Sequence, residues 1–279
     1  MLTHFKEKYI GSASFYKRYL CLALPMILQN AITNLVSFLD NIMVGQLGTE
    51  PMSGVAIVNQ LIFVYNLAIF GAVSAASIFG AQYFGKGNHK GHMHSFRFKL
   101  YASLTMTAAA ILLFITKGST LISLYLTDTT GSGATEAALQ YGLEYLAIMM
   151  IGLIPFAINQ SYATNIKETG QTMIPMIASF AAVGINAVLD YILIFGLGPI
   201  PKMGVVGAAL ATVIARYIEA LIVIVWAHTN RAKNRYLEGA YRGFGIPKAE
   251  FKAILIKGLP LMLNEVFWAA GMTTVTQCY

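Results

Sequence analysis

The stretch FAAVGINAVLDYILIFGLG, residues 180–198, is apolar almost throughout, yet it carries Asn186 and Asp190 one helical turn apart. It is about twice as long as the ~10-residue alternating strands of a membrane β-barrel. An uninterrupted apolar run of this length predicts a helix that crosses a membrane. Because a carboxylate or a carboxamide without a partner is costly in hydrocarbon, we expect both side chains to share a protein partner or a wet cavity.

The remainder of the chain has the same apolar character. Of its 279 residues, 57% are hydrophobic and 11% are charged, and the mean hydropathy is +0.63. These values are typical of an integral membrane protein. A helix needs about 20 apolar residues to cross a hydrocarbon core ~30 Å thick. We therefore predict an all-α fold, a polytopic transmembrane helix bundle with spans near 19–46, 54–79, 97–116, 137–160, 173–196, 204–226 and 251–279.

The basic residues segregate to one set of connections between these spans. Of the 19 Lys and Arg residues, only Lys117 and Lys202 fall in the opposite connections, and Arg216 lies within a span. The positive-inside rule then places the N-terminus in the cytoplasm and the chain in the cytoplasmic (inner) membrane. Because the loops account for the net charge of +7, we predict a lipid bilayer rather than nucleic acid as the partner.

One connection differs from the others in length and polarity. Residues 227–250 are polar and basic, as expected of a boundary between two halves. Beyond them, FKAILIKGLPLML (251–263) echoes YKRYLCLALPMIL (16–28), which is a chance match or a parallel repeat of six spans. The repeat predicts a six-helix lobe (1–226), a cytoplasmic linker (227–250) and the first helix of an incomplete second lobe (251–279), so that the chain is a truncated piece.

Four polar side chains are predicted to share one layer in the outer half of the bundle. At ~1.5 Å of rise per residue, Asp40 and Asp190 lie about 9 Å from the outer end of their helices, Thr212 about 12 Å and Asn186 about 15 Å. Such a layer can hold a proton or a small hard cation such as Na⁺. The alternatives are an interfacial, wet carboxylate for Asp40 and a purely structural polar contact for Asp190.

Three further charged residues within the spans are secondary candidates for an ion path. Arg216 and Glu219 lie at i and i+3 on the sixth span, so they are expected to form a buried structural ion pair. Glu265 lies in the seventh span. The prolines Pro25, Pro155 and Pro260 each remove a backbone donor from a span, and they are predicted to act as static kinks or as hinges.

Signals for other chemistry are weak. Cys21 and Cys278 lie at opposite ends of the chain, which gives no support to a disulfide or a zinc site. His89, His92 and His94 share a turn without carboxylate or thiolate ligands, so no resident metal and no cofactor are predicted beyond a coupling H⁺ or Na⁺. Motifs for nucleotide binding, serine hydrolysis and zinc proteolysis are absent from the sequence, so we do not expect an enzyme.

Several segments together resemble a known transporter family. LALPMILQN and FLDNIMVGQLGTEPMSGVAI precede AQYFGKGN, and INAVLDYILIFGLG leads to GVVGAALATVIARY. In this order they closely resemble the multidrug and toxic compound extrusion (MATE) family over nearly the whole chain. The resemblance implies a twelve-helix exporter with two six-helix lobes, driven by a proton or sodium gradient and expelling cationic, amphipathic compounds.

The resemblance also implies site residues. Family members carry an acid at the position of Asp40 and, in several branches, a cluster at the positions of Asn186, Asp190 and Thr212. Glu265 falls closer to Pro260 than the coupling acid that some branches carry on the seventh span. The connector before the sixth span is longer than in the family pattern, and it moves Thr212 away from Asp190 in sequence.

The sequence therefore predicts an ion-coupled antiporter that exports small organic cations and is a monomer at full length. Two alternatives stay open. A lipid-precursor flippase of similar helical plan would have a cationic central cavity, and a non-transporting membrane receptor would bind its ligand without solute flux.

Overall fold

The computed structural model describes residues 12–126, 132–243 and 245–278. Every long element of the described chain is an α-helix, which confirms the all-α prediction. Within these ranges, seven long helices and one 3₁₀ turn follow each other: α1 Ala13–Gly45, α2 Thr49–Gly85, α3 His89–Ser123, α4 Ser132–Glu168, α5 Met173–Phe195, α6 Gly204–Thr229, the 3₁₀ turn Arg235–Leu237 and α7 Lys248–Cys278.

Each predicted span lies within one of these helices or overlaps it closely. The first four helices extend beyond the predicted ends because polar residues outside the apolar core also continue the helix. Within the described residues, α1 to α6 are long and apolar enough to cross a membrane. The last helix, α7, is formed as predicted but is not among these six within the described residues. Its crossing stays a prediction.

The helix α2 lies at the centre of the bundle and packs against α3, α4 and α7. The α4 helix also packs against α6, α6 packs against α5, and α1 lies chiefly against α5. Large apolar side chains such as Leu112, Ile115 and Val188 are at least 60% exposed. An apolar surface of this kind suits a hydrocarbon solvent. The main core joins α2, α4 and α6 through residues that include Val58, Ile69, Leu153 and Ala209.

A close helix crossing fixes α2 against α4. A Cβ atom on Gly54 would meet the carbonyl oxygen of Ala138 and would lie 2.8 Å from the backbone nitrogen of Gly142. Glycine at residue 54 therefore lets the two backbones approach directly.

The polar connection before α7 is folded onto the bundle. Asn234 and Tyr236 are buried in it. The buried Arg97 side chain of α3 donates hydrogen bonds of 2.7–3.1 Å to the carbonyl oxygens of Gly239, Ala240, Arg242 and Gly245. The predicted linker is thus a docked segment, and its role as a boundary between two lobes stays a prediction.

None of the three predicted hinge prolines ends its helix. Pro25 and Pro155 are buried within α1 and α4, and Pro260 is exposed within α7. Each helix continues past the missing backbone donor.

Candidate ion-coupling site

Asp40 on α1 and Asp190 on α5 lie close enough together for their carboxyl groups to interact electrostatically. Asp190 is fully buried, and Asp40 is half-buried on the face of α1 that meets α5. Asn186 lies one turn before Asp190 on the same face and is 4% exposed, so its side chain lies near the Asp190 carboxyl group. Three of the four predicted residues therefore form one cluster.

The cluster contains buried polar atoms without partners. Both carboxylate oxygens of Asp190 and the amide nitrogen of Asn186 have no hydrogen-bond donor or acceptor among the described residues. Two adjacent carboxylates repel each other unless a proton or a cation lies between them. The atoms available as ligands are carboxylate and amide oxygens, so the residues fit either a shared proton or a hard cation such as Na⁺.

Thr212 does not join this contact. It is half-buried on α6, and the side-chain interactions of Asp190 involve Asp40 and Asn186. Depth along a helix fixes the layer of a side chain, whereas its direction around the helix axis decides which neighbour it meets. The role of Thr212 as a ligand stays a prediction.

A tyrosine that the sequence did not single out completes the surroundings of the pair. Tyr145 on α4 is 4% exposed, and its hydroxyl group donates a 3.3 Å hydrogen bond to Asn59 Oδ1 on α2. It lies close enough to Asp40, Asp190 and Arg216 to interact with each electrostatically. Apolar spans contain many packing tyrosines, so the sequence has no signal that separates Tyr145 from them.

The prediction of an ion pair between Arg216 and Glu219 is wrong. Arg216 Nη1 donates to the Gly152 carbonyl oxygen at 3.4 Å, and the guanidinium carbon lies 5.2 Å from the centre of the Phe156 ring. Glu219 Oε1 accepts a 2.5 Å hydrogen bond from Ser179 Oγ instead. Spacing of i and i+3 places the two side chains on one face, but each reaches a nearer partner on a different helix.

A cavity of about 680 Å³ lies between α1, α2, α4, α5 and α6. Its lining is mostly apolar and includes Phe70 and Phe156, with Lys167, Glu168 and Glu219 as charged groups. Gln29 of α1 donates to Ser179 Oγ at 2.7 Å and joins α1 to α5 at this level. The cavity is large enough for a drug-sized molecule.

The remaining candidates lie away from the carboxyl pair. Glu265 is half-buried on α7, which packs against α2 rather than against α1 or α5. His92 hydrogen-bonds to Glu168 at 3.0 Å, and His94 hydrogen-bonds to Glu250 at 2.7 Å. Within the described ranges, no group of three or more His, Cys, Asp or Glu side chains is placed to hold a metal ion.

A second charged cluster that the sequence did not predict lies at the end of the bundle that carries the basic connections. Lys99 is fully buried on α3 and forms a close ion pair with Glu168 at the end of α4. His92 contributes a second contact to the same carboxylate. The three side chains satisfy one another, so this cluster differs from the open Asp40–Asp190 pair.

Relatives of the chain are described as probable multidrug resistance proteins. A probable multidrug resistance protein NorM of Thermotoga maritima is 28% identical over 261 residues, which is 92% of this chain and 53% of the relative. A protein of the same description from Oceanobacillus iheyensis is 28% identical over 93% of this chain and 56% of its own length. The chain thus spans about half the length of the curated relatives it matches.

Solved structures share the fold. A structure described as MATE in the bent conformation is 25% identical and superposes with a TM-score of 0.77 over 92% of this chain and 55% of the other. A MOP superfamily transporter from Pyrococcus furiosus, described as having a binding pocket of reverse polarity, is 24% identical with the same TM-score. The MatE family model matches residues 25–192, which include Asp40, Asn186 and Asp190. This chain therefore belongs to the MatE family.

Proposed function

We propose that the chain belongs to an ion-coupled antiporter, in which entry of H⁺ or Na⁺ drives export of small cationic, amphipathic compounds across the cytoplasmic membrane. The observation that carries this proposal is the proximity of Asp40 to Asp190, whose two buried carboxylate oxygens lack a hydrogen-bond partner among the described residues. Buried acids within membrane helices are costly, and they are typical of ion and proton paths.

The pair couples ion and drug if the two bind antagonistically. A proton or Na⁺ at Asp40 and Asp190 neutralises the local charge, which weakens the attraction of the site for an organic cation. Loss of the ion restores that attraction. A gradient then drives export because ion and drug favour opposite states of the transporter.

The packing of α1 gives the pair a mechanical role. Most side chains of α1 are exposed, and the helix is held to α5 through Asp40–Asp190 and through Gln29–Ser179. A change of charge at Asp40 and Asp190 therefore alters a polar interaction between α1 and α5. In this proposal, α1 moves when the ion binds or leaves.

The cavity supports an amphipathic organic cation as the substrate. Its aromatic wall at Phe70 and Phe156 suits a flat apolar body, and Glu219 offers a carboxylate to a positive group. A lipid-precursor flippase would favour a cationic cavity, and Lys167 is balanced there by Glu219. A non-transporting receptor would bind the same compounds without flux.

The test uses everted membrane vesicles from cells that express the protein from its complete gene. Respiration acidifies the vesicles, a lipophilic cation is added, and dequenching of a pH-sensitive dye reports proton release. We expect dequenching with the wild type and none with Asp190→Asn. The matched control is Glu144→Gln, which neutralises an exposed acid on α4 and should leave dequenching unchanged.

An imposed sodium gradient serves as the second arm of this experiment. If the cation dissipates neither gradient in the wild type, the antiporter proposal is wrong. If Asp190→Asn retains full coupled transport, the ion does not bind at the carboxyl pair.

A further inference from the structure

The cavity of about 680 Å³ contains charged side chains of both signs. Lys167 near the end of α4 and Glu219 on α6 line it, together with Glu168. Glu168 is paired with Lys99 and His92, so its charge is already compensated. Lys167 and Glu219 are therefore the two cavity charges that lie outside this paired cluster.

The Glu219 carboxylate is held by side chains of two other helices. Its Oε1 accepts a 2.5 Å hydrogen bond from Ser179 Oγ on α5, and Ser179 Oγ accepts one of 2.7 Å from Gln29 on α1. Among the described residues, the second carboxylate oxygen, Oε2, has no hydrogen-bond partner. The carboxylate is thus fixed at the cavity wall and keeps one oxygen for a positive group.

A nearby arginine does not take that place. Arg216 lies three residues before Glu219 on α6, but it does not line the cavity. Its guanidinium group contacts the Gly152 carbonyl oxygen and the Phe156 ring instead.

Lys167 is a half-buried lysine without a direct partner. Its ammonium group has no hydrogen bond or ion pair within the described part of the chain, yet it lies near enough to Glu219 to interact with it electrostatically. At the effective dielectric constant of protein sites, a unit charge roughly 10 Å away changes the affinity for an ion by about tenfold. The Lys167 ammonium group therefore opposes the binding of a cation and favours that of an anion.

We propose that Lys167 is a tethered cation that competes electrostatically with the exported compound for Glu219, so that these two residues set the charge preference of the cavity. A lipophilic cation binds because it can contact the Glu219 carboxylate directly, whereas Lys167 acts on it from a distance. In the empty cavity the ammonium group offsets the charge of an acid that is costly within a membrane. With the cation bound, it weakens the hold of Glu219 and so favours release. The inference rests on the proposed function only in taking this cavity as the binding place of the exported cation.

The test compares two probes of nearly the same shape and opposite charge, tetraphenylphosphonium and tetraphenylborate. Affinity for each is measured at fixed pH and without sodium, on purified protein expressed from its complete gene. The variants are Lys167→Met, which removes the charge and keeps an unbranched side chain, and Glu219→Gln, which keeps the shape of the carboxylate. Lys117→Met and Glu144→Gln are the matched controls, because they remove the same charges from exposed positions of α3 and α4.

We expect Lys167→Met to bind tetraphenylphosphonium about tenfold more tightly than the wild type and tetraphenylborate about tenfold more weakly. Glu219→Gln should shift both affinities in the opposite directions, so that the anion becomes the preferred probe. Both controls should keep the wild-type ratio of the two affinities. A misfolded variant cannot produce this pattern, because it would lose both probes together.

The inference is overturned if either cavity variant keeps the wild-type ratio of affinities, if a control changes that ratio equally, or if the wild type binds neither probe. The measurement uses no ion gradient. A failure of charge selection is therefore distinguishable from a failure of ion-coupled export, which the vesicle experiment reports.

Discussion

Asp40 and Asp190 are far apart in the sequence, and the packing of α1 against α5 brings them together. The apolar run around it and the depth of Asp40 in α1 predict that the two acids share a layer. The structure places them close together, with Asn186 beside them. Neither depth nor spacing identifies the third helix at the site, so Tyr145 is found only once α4 is placed against α2.

Two charged residues on the same face of a helix do not necessarily pair with each other. Arg216 and Glu219 share a face of α6 but do not pair, since Gly152 and Ser179 offer nearer partners. In contrast, Lys99 and Glu168 pair although 69 positions separate them. Such partners depend on how the helices pack, and a single sequence does not determine that packing.

The buried Lys99–Glu168 pair should stabilise the bundle measurably. Lys99→Met leaves the Glu168 carboxylate buried with His92 alone, and removal of one partner from a buried pair costs about 3–5 kcal/mol. We expect a clear fall in the midpoint of thermal unfolding, measured on purified protein in detergent. The control is Lys117→Met, which removes an exposed lysine from the other end of α3. An unchanged midpoint for Lys99→Met would show that the pair does not stabilise the fold.

The helices were predictable as elements because each apolar run is long enough to be read without packing information. Their ends were less predictable, because α2 and α4 continue several residues past the apolar runs. The connection before α7 was predicted to be a polar linker. Its docking depends on Arg97, whose four carbonyl partners lie more than 140 positions away along the chain.

The crossing of α2 and α4 predicts a position-specific effect of alanine. Gly54→Ala places a Cβ against the backbone of Ala138 and Gly142, and overpacking of this kind costs about 1–3 kcal/mol. Gly184→Ala is the matched control, because a Cβ at that position of α5 meets nothing within 4 Å. We expect a lower unfolding midpoint for the first variant and an equal or higher one for the second. Equal effects of the two variants would argue against a close helix crossing.

For the whole molecule, the distribution of basic residues predicts its orientation in the membrane. In a protein whose cysteines are replaced by serine, Arg231→Cys should react with a membrane-impermeant maleimide in everted vesicles and not in intact cells. Lys202→Cys, in the connection between α5 and α6, should show the reverse. The same labelling pattern for both variants would contradict the predicted topology.

The division into lobes belongs to this scale and rests on the sequence. The repeat between residues 16–28 and 251–263 predicts it. Packing within the described residues places α7 against α2, and it does not by itself define a second lobe.

The central claim is that Asp190 makes ion and drug binding antagonistic, and the affinity of the purified protein for a lipophilic cation tests it most directly. Affinity for tetraphenylphosphonium is measured across a pH series without sodium, and then at fixed pH with added sodium. An exporter coupled at the Asp40–Asp190 pair should bind the cation more weakly at low pH, by up to about tenfold per pH unit, or more weakly in sodium. Asp190→Asn should lose that dependence. A wild-type affinity that changes with neither pH nor sodium, or an unaltered dependence in Asp190→Asn, would contradict the claim.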